Sequence, residues 1–253
     1  MFQTINKRSV SDEVFDQLRN RIVYQELKAG EELPSERLLS EMLGVGRNAV
    51  REAIKRLQQA RLVEVRHGGM TTVLDYRREA SADLLPNLLL DQQGRIQVDV
   101  ARSIVRMRQV LSPAIAADAA VHDNAATADR LDAIVDAMTE AVAPAELQRL
   151  AFEFWEILVD GSGNIAYRLA FNSLRKTYEP LWGLLTQMLG RDLRKLGTFR
   201  ELARLIREGD RDGATRCARE YIDGSSDAIY QFLELYEQHA QHKSTDTTQG
   251  EHP

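Results

Sequence analysis

The chain has 253 residues, 43% of them hydrophobic and 28% charged, with a formal net charge of −5, as expected for a soluble globular protein of two modest domains or one large one. Its single cysteine, Cys217, excludes a disulfide scaffold and a cysteine-based zinc site. No apolar run approaches the ~18–20 residues of a membrane span and no apolar segment marks a secretory signal, so a cytoplasmic protein without membrane contact is expected.

Charge is divided unevenly. Residues 1–78 hold 14 basic and 11 acidic side chains, whereas the remainder holds 19 and 27. A basic head on an acidic body suits a head that meets a polyanion.

In chain order, residues 9–27 place Val10, Val14, Leu18, Ile22 and Val23 at helical spacing, with Ser9 as a cap. Leu33-Pro34 opens a second helix, capped by Ser35, carrying Leu38, Leu39, Met42 and Leu43 and stopped by Gly44. A third helix, 47–59, turns Val50, Ile54 and Leu57 inward and Arg47, Asn48, Arg51 and Lys55 outward. Two extended runs, 62–66 and 71–74, flank the turn His67-Gly68-Gly69.

Residues 76–81 are polar and read as a linker. Helical spacing then covers about 81–90, 97–121, 125–141, 145–161, 164–189, 196–208 and 211–240, with breakers such as Gly94, Pro144 and Gly209 between. The expected fold is mainly α: a winged helix-turn-helix over 1–75, the linker, an all-helical bundle over 82–240, and a disordered tail over 241–253.

The string from Leu33-Pro34-Ser35-Glu36-Arg37 through Gly46-Arg47-Asn48 to Arg51-Glu52-Ala53 resembles the signature of GntR-family transcription factors, and the likeness runs on to His67-Gly68. It implies that 47–59 is a recognition helix, and helix N-termini meet base edges in the major groove. Arg47 would read guanine, Asn48 a base or phosphate, and Arg51 and Arg37 phosphate or a base edge. His67 and Gly68, at the wing tip, would approach the minor groove; His67 equally suits a turn that bonds its own loop. Gly46 departs from the family's usual Ser or Thr, which removes a hydroxyl-to-phosphate contact. Family operators are palindromic double-stranded DNA, so a homodimer is expected.

The phrases from Val105-Arg106-Met107-Arg108, from Phe154-Trp155-Glu156 to Asn164, and Glu208-Gly209-Asp210 resemble the helical ligand-binding domain of the FadR subfamily. Most members of that class hold a metal with one Asp and three His, and those positions fall here on Phe152, Glu156, Phe199 and Tyr221. Phenylalanine offers no ligand atom, so neither metal nor cofactor is expected. The phrases Leu174 to Tyr178 and Arg219 to Ser225 resemble the metal-free, acyl-CoA-responsive branch of the subfamily. That likeness implies an effector cavity lined by Arg108, Tyr178, Tyr221 and Ser225.

The residues themselves allow a second reading. Tyr178, Trp155 and Trp182 at helical spacing suit core packing, and Arg108 among apolar neighbours needs either an anion or an internal carboxylate. There is no Glu-x-x-His pair, phosphate-binding glycine loop or nucleophile-elbow motif, so no catalytic residues and no enzyme are expected. The expected protein is a DNA-binding regulator that a small-molecule effector, acyl-CoA or else a small organic acid held without metal, releases from its operator.

Overall fold

A computed structural model describes residues 9–66, 70–91, 93–122 and 124–249. The chain divides into two compact units, Met1–Arg95 and Ile96–Pro253.

The first unit begins with helices α1 (Val10–Val23), α2 (Glu36–Leu43) and α3 (Arg47–Gln59), followed by strands β1 (Val63–Val65) and β2 (Thr71–Val73). Ser9 and Asp12 form a reciprocal capping box at the start of α1. The helix ends at Val23, short of the expected residue 27, because Gln25 takes a left-handed backbone with φ of 60°. Gly44 ends α2 in the same region, at φ 64°, where a residue without a Cβ is least strained. The strands pair antiparallel, Val63 opposite Val73. The N–H groups of Gly30 and Leu33 donate to the carbonyls of Val73 and Thr71, adding a short third row.

The core of this unit is the apolar face of α1 (Val14, Leu18, Ile22) against that of α3 (Val50, Ile54, Leu57), closed by Leu62 and Val73. At its rim the Arg56 guanidinium lies 4.2 Å from the Phe15 ring centroid and pairs with Asp12.

The boundary between units differs from the expected one. Residues 76–81 contain a short helix, α4 (Tyr76–Glu79), capped by Asp75, and a 3-10 turn leads into α5 (Leu85–Leu89). Tyr76, Ala80, Leu84 and Leu88 pack on the core of the first unit. Their spacing of four supplies an apolar stripe that the polar neighbours mask in the sequence, so the head extends to residue 95.

The second unit comprises α6 (Val98–His122), α7 (Asn124–Glu140), α8 (Pro144–Gly161), α9 (Ile165–Tyr178), α10 (Trp182–Leu193), α11 (Leu196–Glu208) and α12 (Arg211–Gln249). The single helix expected over 164–189 is two, split by a 3-10 turn at Glu179–Leu181. Pro180 has no N–H to continue the ladder and disfavours helix at the residue before it. The last helix runs to Gln249 rather than stopping at residue 240; residues 250–253 of the expected tail lie outside the described residues.

Phe154, Leu158, Leu131 and Ile206 are fully buried at the centre of the bundle. Phe154 meets Phe199 edge-on, with centroids 5.0 Å apart. Gly161 lets α8 approach α7, since a side chain there would run into Thr127. Among the described residues no helix is long and apolar enough to cross a membrane.

Phe154→Ala removes a ring that has no accessible surface and leaves a gap against Phe199 of α11. The expected loss is about 3–5 kcal/mol, measured as a lower urea midpoint for the bundle's transition with the circular dichroism of the folded state retained.

Candidate functional site

Two surfaces carry chemistry. The first is the outer face of α3. Burying Val50, Ile54 and Leu57 at intervals of four and three forces Arg47, Asn48, Arg51 and Lys55 outward, and all four are exposed. Gly46 caps α3 in an extended conformation, φ −69° and ψ 144°, with no side-chain bond to the helix. The first N–H groups of α3 therefore face outward without a cap, at the positive end of the helix dipole.

The charges on this face are loosely held. Arg51 Nε lies 3.3 Å from Glu36 Oε2 on α2, and Arg37 Nη1 lies 2.6 Å from Glu41 Oε1. Both pairs are exposed, and such pairs are worth about 0–1 kcal/mol, so a phosphate can displace either carboxylate. Arg47 has no ion pair among the described residues. Glu36 ties α2 to α3, which brings Arg37, Arg47, Asn48 and Arg51 onto two helices in contact. His67 and Gly68 lie outside the described residues.

The second surface is internal. A cavity bounded by α6, α8, α9, α10 and α12 offers about 90 Å³ to the centres of water-sized molecules. Its lining is mostly apolar: Leu111, Ile115, Phe152, Phe171, Leu174 and Leu185 contribute, with Ile229 from the last helix. Among the described residues Arg108 is the one charged side chain in this wall. Its Nη2 donates to Ser225 Oγ at 3.0 Å, and Ser225 in turn donates to the Ile222 carbonyl at 3.0 Å.

No carboxylate pairs with Arg108 among the described residues, so the internal ion pair open from sequence is replaced by a neutral hydroxyl. Its neighbours on α6 are accounted for differently: Arg102 binds Glu237 at 2.7 Å and Arg106 is exposed.

Tyr178 and Tyr221 also line the cavity. Burial pushes the Tyr178 phenol above its ordinary range, with the Arg108 cation opposing. Burial likewise pushes Tyr221 up to about 12, so both are neutral donors at neutral pH. Ser225 does not form part of the wall. It is fully buried behind Arg108 and sets the direction of the guanidinium. Ile222 belongs to the core rather than to the cavity.

Of the four positions that carry metal ligands in the wider class, three hold rings here and the fourth is Glu156. Phe199 lies edge-on to Tyr221, centroids 5.0 Å apart, and Tyr221 stacks on Trp155 at 6.3 Å. Phe152 lines the cavity, and Glu156 pairs with Arg175 at 3.0 Å. Among the described residues no group of three or more His, Cys, Asp or Glu could hold a metal ion.

Sequence reasoning missed Gln148. It is buried in the wall with its Oε1 unpartnered, as is the indole N–H of Trp155. The available signal was a polar residue in register with Ala151, Phe152 and Trp155 on the apolar face of α8.

Each surface lies in a unit that matches a known family model. The family model described as bacterial regulatory proteins, gntR family, matches residues 10–73, and the FCD domain model matches 103–224. The chain is 39% identical to the HTH-type transcriptional regulator Mce2R of Mycobacterium tuberculosis, over 91% of this chain and 96% of that one. It is 27% identical to the fatty acid metabolism regulator protein of Cronobacter sakazakii, over 76% and 79%. Among solved structures, Lar, which controls the expression of the Listeria monocytogenes agr system and mediates virulence, superposes with a TM-score of 0.53 at 16% identity, covering 90% of this chain and 99% of that one; this likeness shows the fold alone. The chain belongs to the GntR family of bacterial transcriptional regulators, a DNA-binding winged helix-turn-helix joined to a helical FCD effector-binding domain and not an enzyme.

Proposed function

We propose that the protein is a homodimeric regulator whose operator affinity is lowered by a fatty acyl-CoA bound in the bundle. The observation that carries this is the cavity itself: an apolar wall holding a single guanidinium whose partner is a neutral hydroxyl. Arg108 is half-buried, and a cation partly withdrawn from water without a counter-charge is costly; an anionic head on an apolar chain relieves that cost while the chain covers the wall. Tyr178 and Tyr221 add neutral donors beside Arg108. The similarity to fatty acid metabolism regulator proteins supports the same chemistry. The modest volume of the cavity favours a second reading, a small carboxylate clamped by Arg108 without metal.

At the DNA, Arg47 reads a guanine edge, Asn48 a base or phosphate, and Arg51 and Arg37 take phosphates in place of Glu36 and Glu41. One recognition helix covers one half-site, so two copies are needed for a palindrome. The effector acts by binding better to the state whose two heads no longer match the operator.

Three outcomes are expected. In fluorescence anisotropy at fixed salt, long-chain acyl-CoA releases operator DNA, whereas CoA alone does not. Release by a small organic acid instead selects the second reading. Arg108→Ala leaves DNA affinity unchanged but weakens the effector by roughly tenfold or more, since a charged hydrogen bond contributes about 1.5–3 kcal/mol.

Arg47→Ala weakens specific binding by about 1–3 kcal/mol and flattens the preference at one operator position, whereas Arg51→Ala weakens all sequences alike and lowers the salt slope. Gly46→Ser is sterically free, since nothing lies within 4 Å of an added Cβ. It is expected to raise the thermal midpoint of the head slightly, as Ser exceeds Gly at a cap by a few tenths of a kcal/mol, and to tighten DNA binding through a new phosphate contact.

A further inference from the structure

The cavity wall is not uniformly apolar. Gln148 and Trp155 are each more than nine-tenths buried and both line it, yet Gln148 Oε1 and Trp155 Nε1 have no hydrogen-bond partner among the described residues. Seven residues apart on α8, they share one face two turns apart, a rise of about 10 Å, with Ala151 and Phe152 lining the same wall between them.

Such atoms constrain the ligand. Both atoms are already shut off from solvent, so a saturated alkyl chain in the cavity leaves them unpaired, whereas a ligand group that bonds one of them supplies a hydrogen bond that the empty protein lacks. A carboxylate at the far end of the acyl chain fits no better, because Arg108 is the only cation in the wall among the described residues. A hydroxyl both donates and accepts. It takes the indole N–H of Trp155, which is a donor only, and it satisfies Gln148 whichever way the amide is turned. Around these atoms the wall is apolar (Ile115, Leu174, Leu185), so the rest of the ligand must be hydrocarbon.

We propose that Gln148 and Trp155 form a polar subsite which selects an acyl chain bearing a hydroxyl group over the unsubstituted chain of the same length. This rests on the acyl-CoA reading above and names the substituent that the cavity recognises.

The test is isothermal titration calorimetry of the full-length protein with palmitoyl-CoA and with hydroxypalmitoyl-CoA carrying the hydroxyl near either end of the chain. The wild type is expected to prefer one hydroxylated chain by about tenfold, the effect of one buried polar group regaining a partner. Trp155→Phe keeps a ring and removes the N–H. Gln148→Met keeps the length and removes the amide. The variant at the residue that the preferred hydroxyl reaches is expected to lower the ratio of affinities for the hydroxylated over the plain chain, and that ratio is the readout. The circular dichroism spectrum of each variant reports that it is folded, and two variants guard against one that is not.

Equal affinity for plain and hydroxylated chains in the wild type overturns the proposal and leaves the acyl-CoA reading standing. So does a preference that survives in both variants. If no acyl-CoA binds the wild type, the acyl-CoA reading fails and the subsite falls with it.

Discussion

A guanidinium in an apolar helical bundle must be hydrogen-bonded to something, and in this protein Arg108 is bonded to a hydroxyl rather than to a carboxylate. Much of the bundle's chemistry follows from that one contact. Ser225 fixes the direction of the cation without neutralising it, and the Ile222 carbonyl fixes Ser225. The charge is left to act on the two buried phenols and on whatever enters the cavity. The rest of α6 tolerates this because its other cations are satisfied elsewhere, Arg102 by Glu237 and Arg106 by solvent.

The head obeys the opposite economy. Its internal contacts are apolar and well made, while its outward charges are paired weakly or not at all. Glu36 and Glu41 hold Arg51 and Arg37 in exposed pairs that contribute little to stability. A surface that keeps its cations extended but only loosely engaged loses little when phosphates replace those carboxylates. The uncapped start of α3 adds dipole to the same face, where a hydroxyl cap would have satisfied one of its free N–H groups.

The replacement of metal-ligand positions by aromatic rings links the cavity to the core. Phe199, Tyr221 and Trp155 pack in sequence across α11, α12 and α8, so two of the four positions that would hold an ion in related domains, Phe199 and Tyr221, join Trp155 in stiffening one wall. That wall includes the indole with the unsatisfied N–H, so the ring that packs on Tyr221 also carries an unpaired donor.

Much was legible in the sequence because it depends on local rules. Helical spacing marked both buried faces of the head, Ser9 and Ser35 marked helix starts, and the outward set Arg47, Asn48, Arg51 followed from the inward set Val50, Ile54, Leu57. Arg108 stood out as a charge among apolar neighbours. The sequence misled where a local signal was overridden. Residues 76–89 read as a linker and a first bundle helix, yet their stripe of Tyr76, Ala80, Leu84 and Leu88 belongs to the head.

What the sequence determined by itself was therefore the family, the two-part architecture, the outward side chains of α3 and the cation of the bundle, all legible from motif, periodicity and residue chemistry. The tertiary structure decided which partner Arg108 takes, that Ser225 stands behind the wall, and that Gln148 and Trp155 are stranded within it. Those are relations between α6, α8 and α12, helices distant in the chain, and no spacing along one helix encodes what faces it across a cavity.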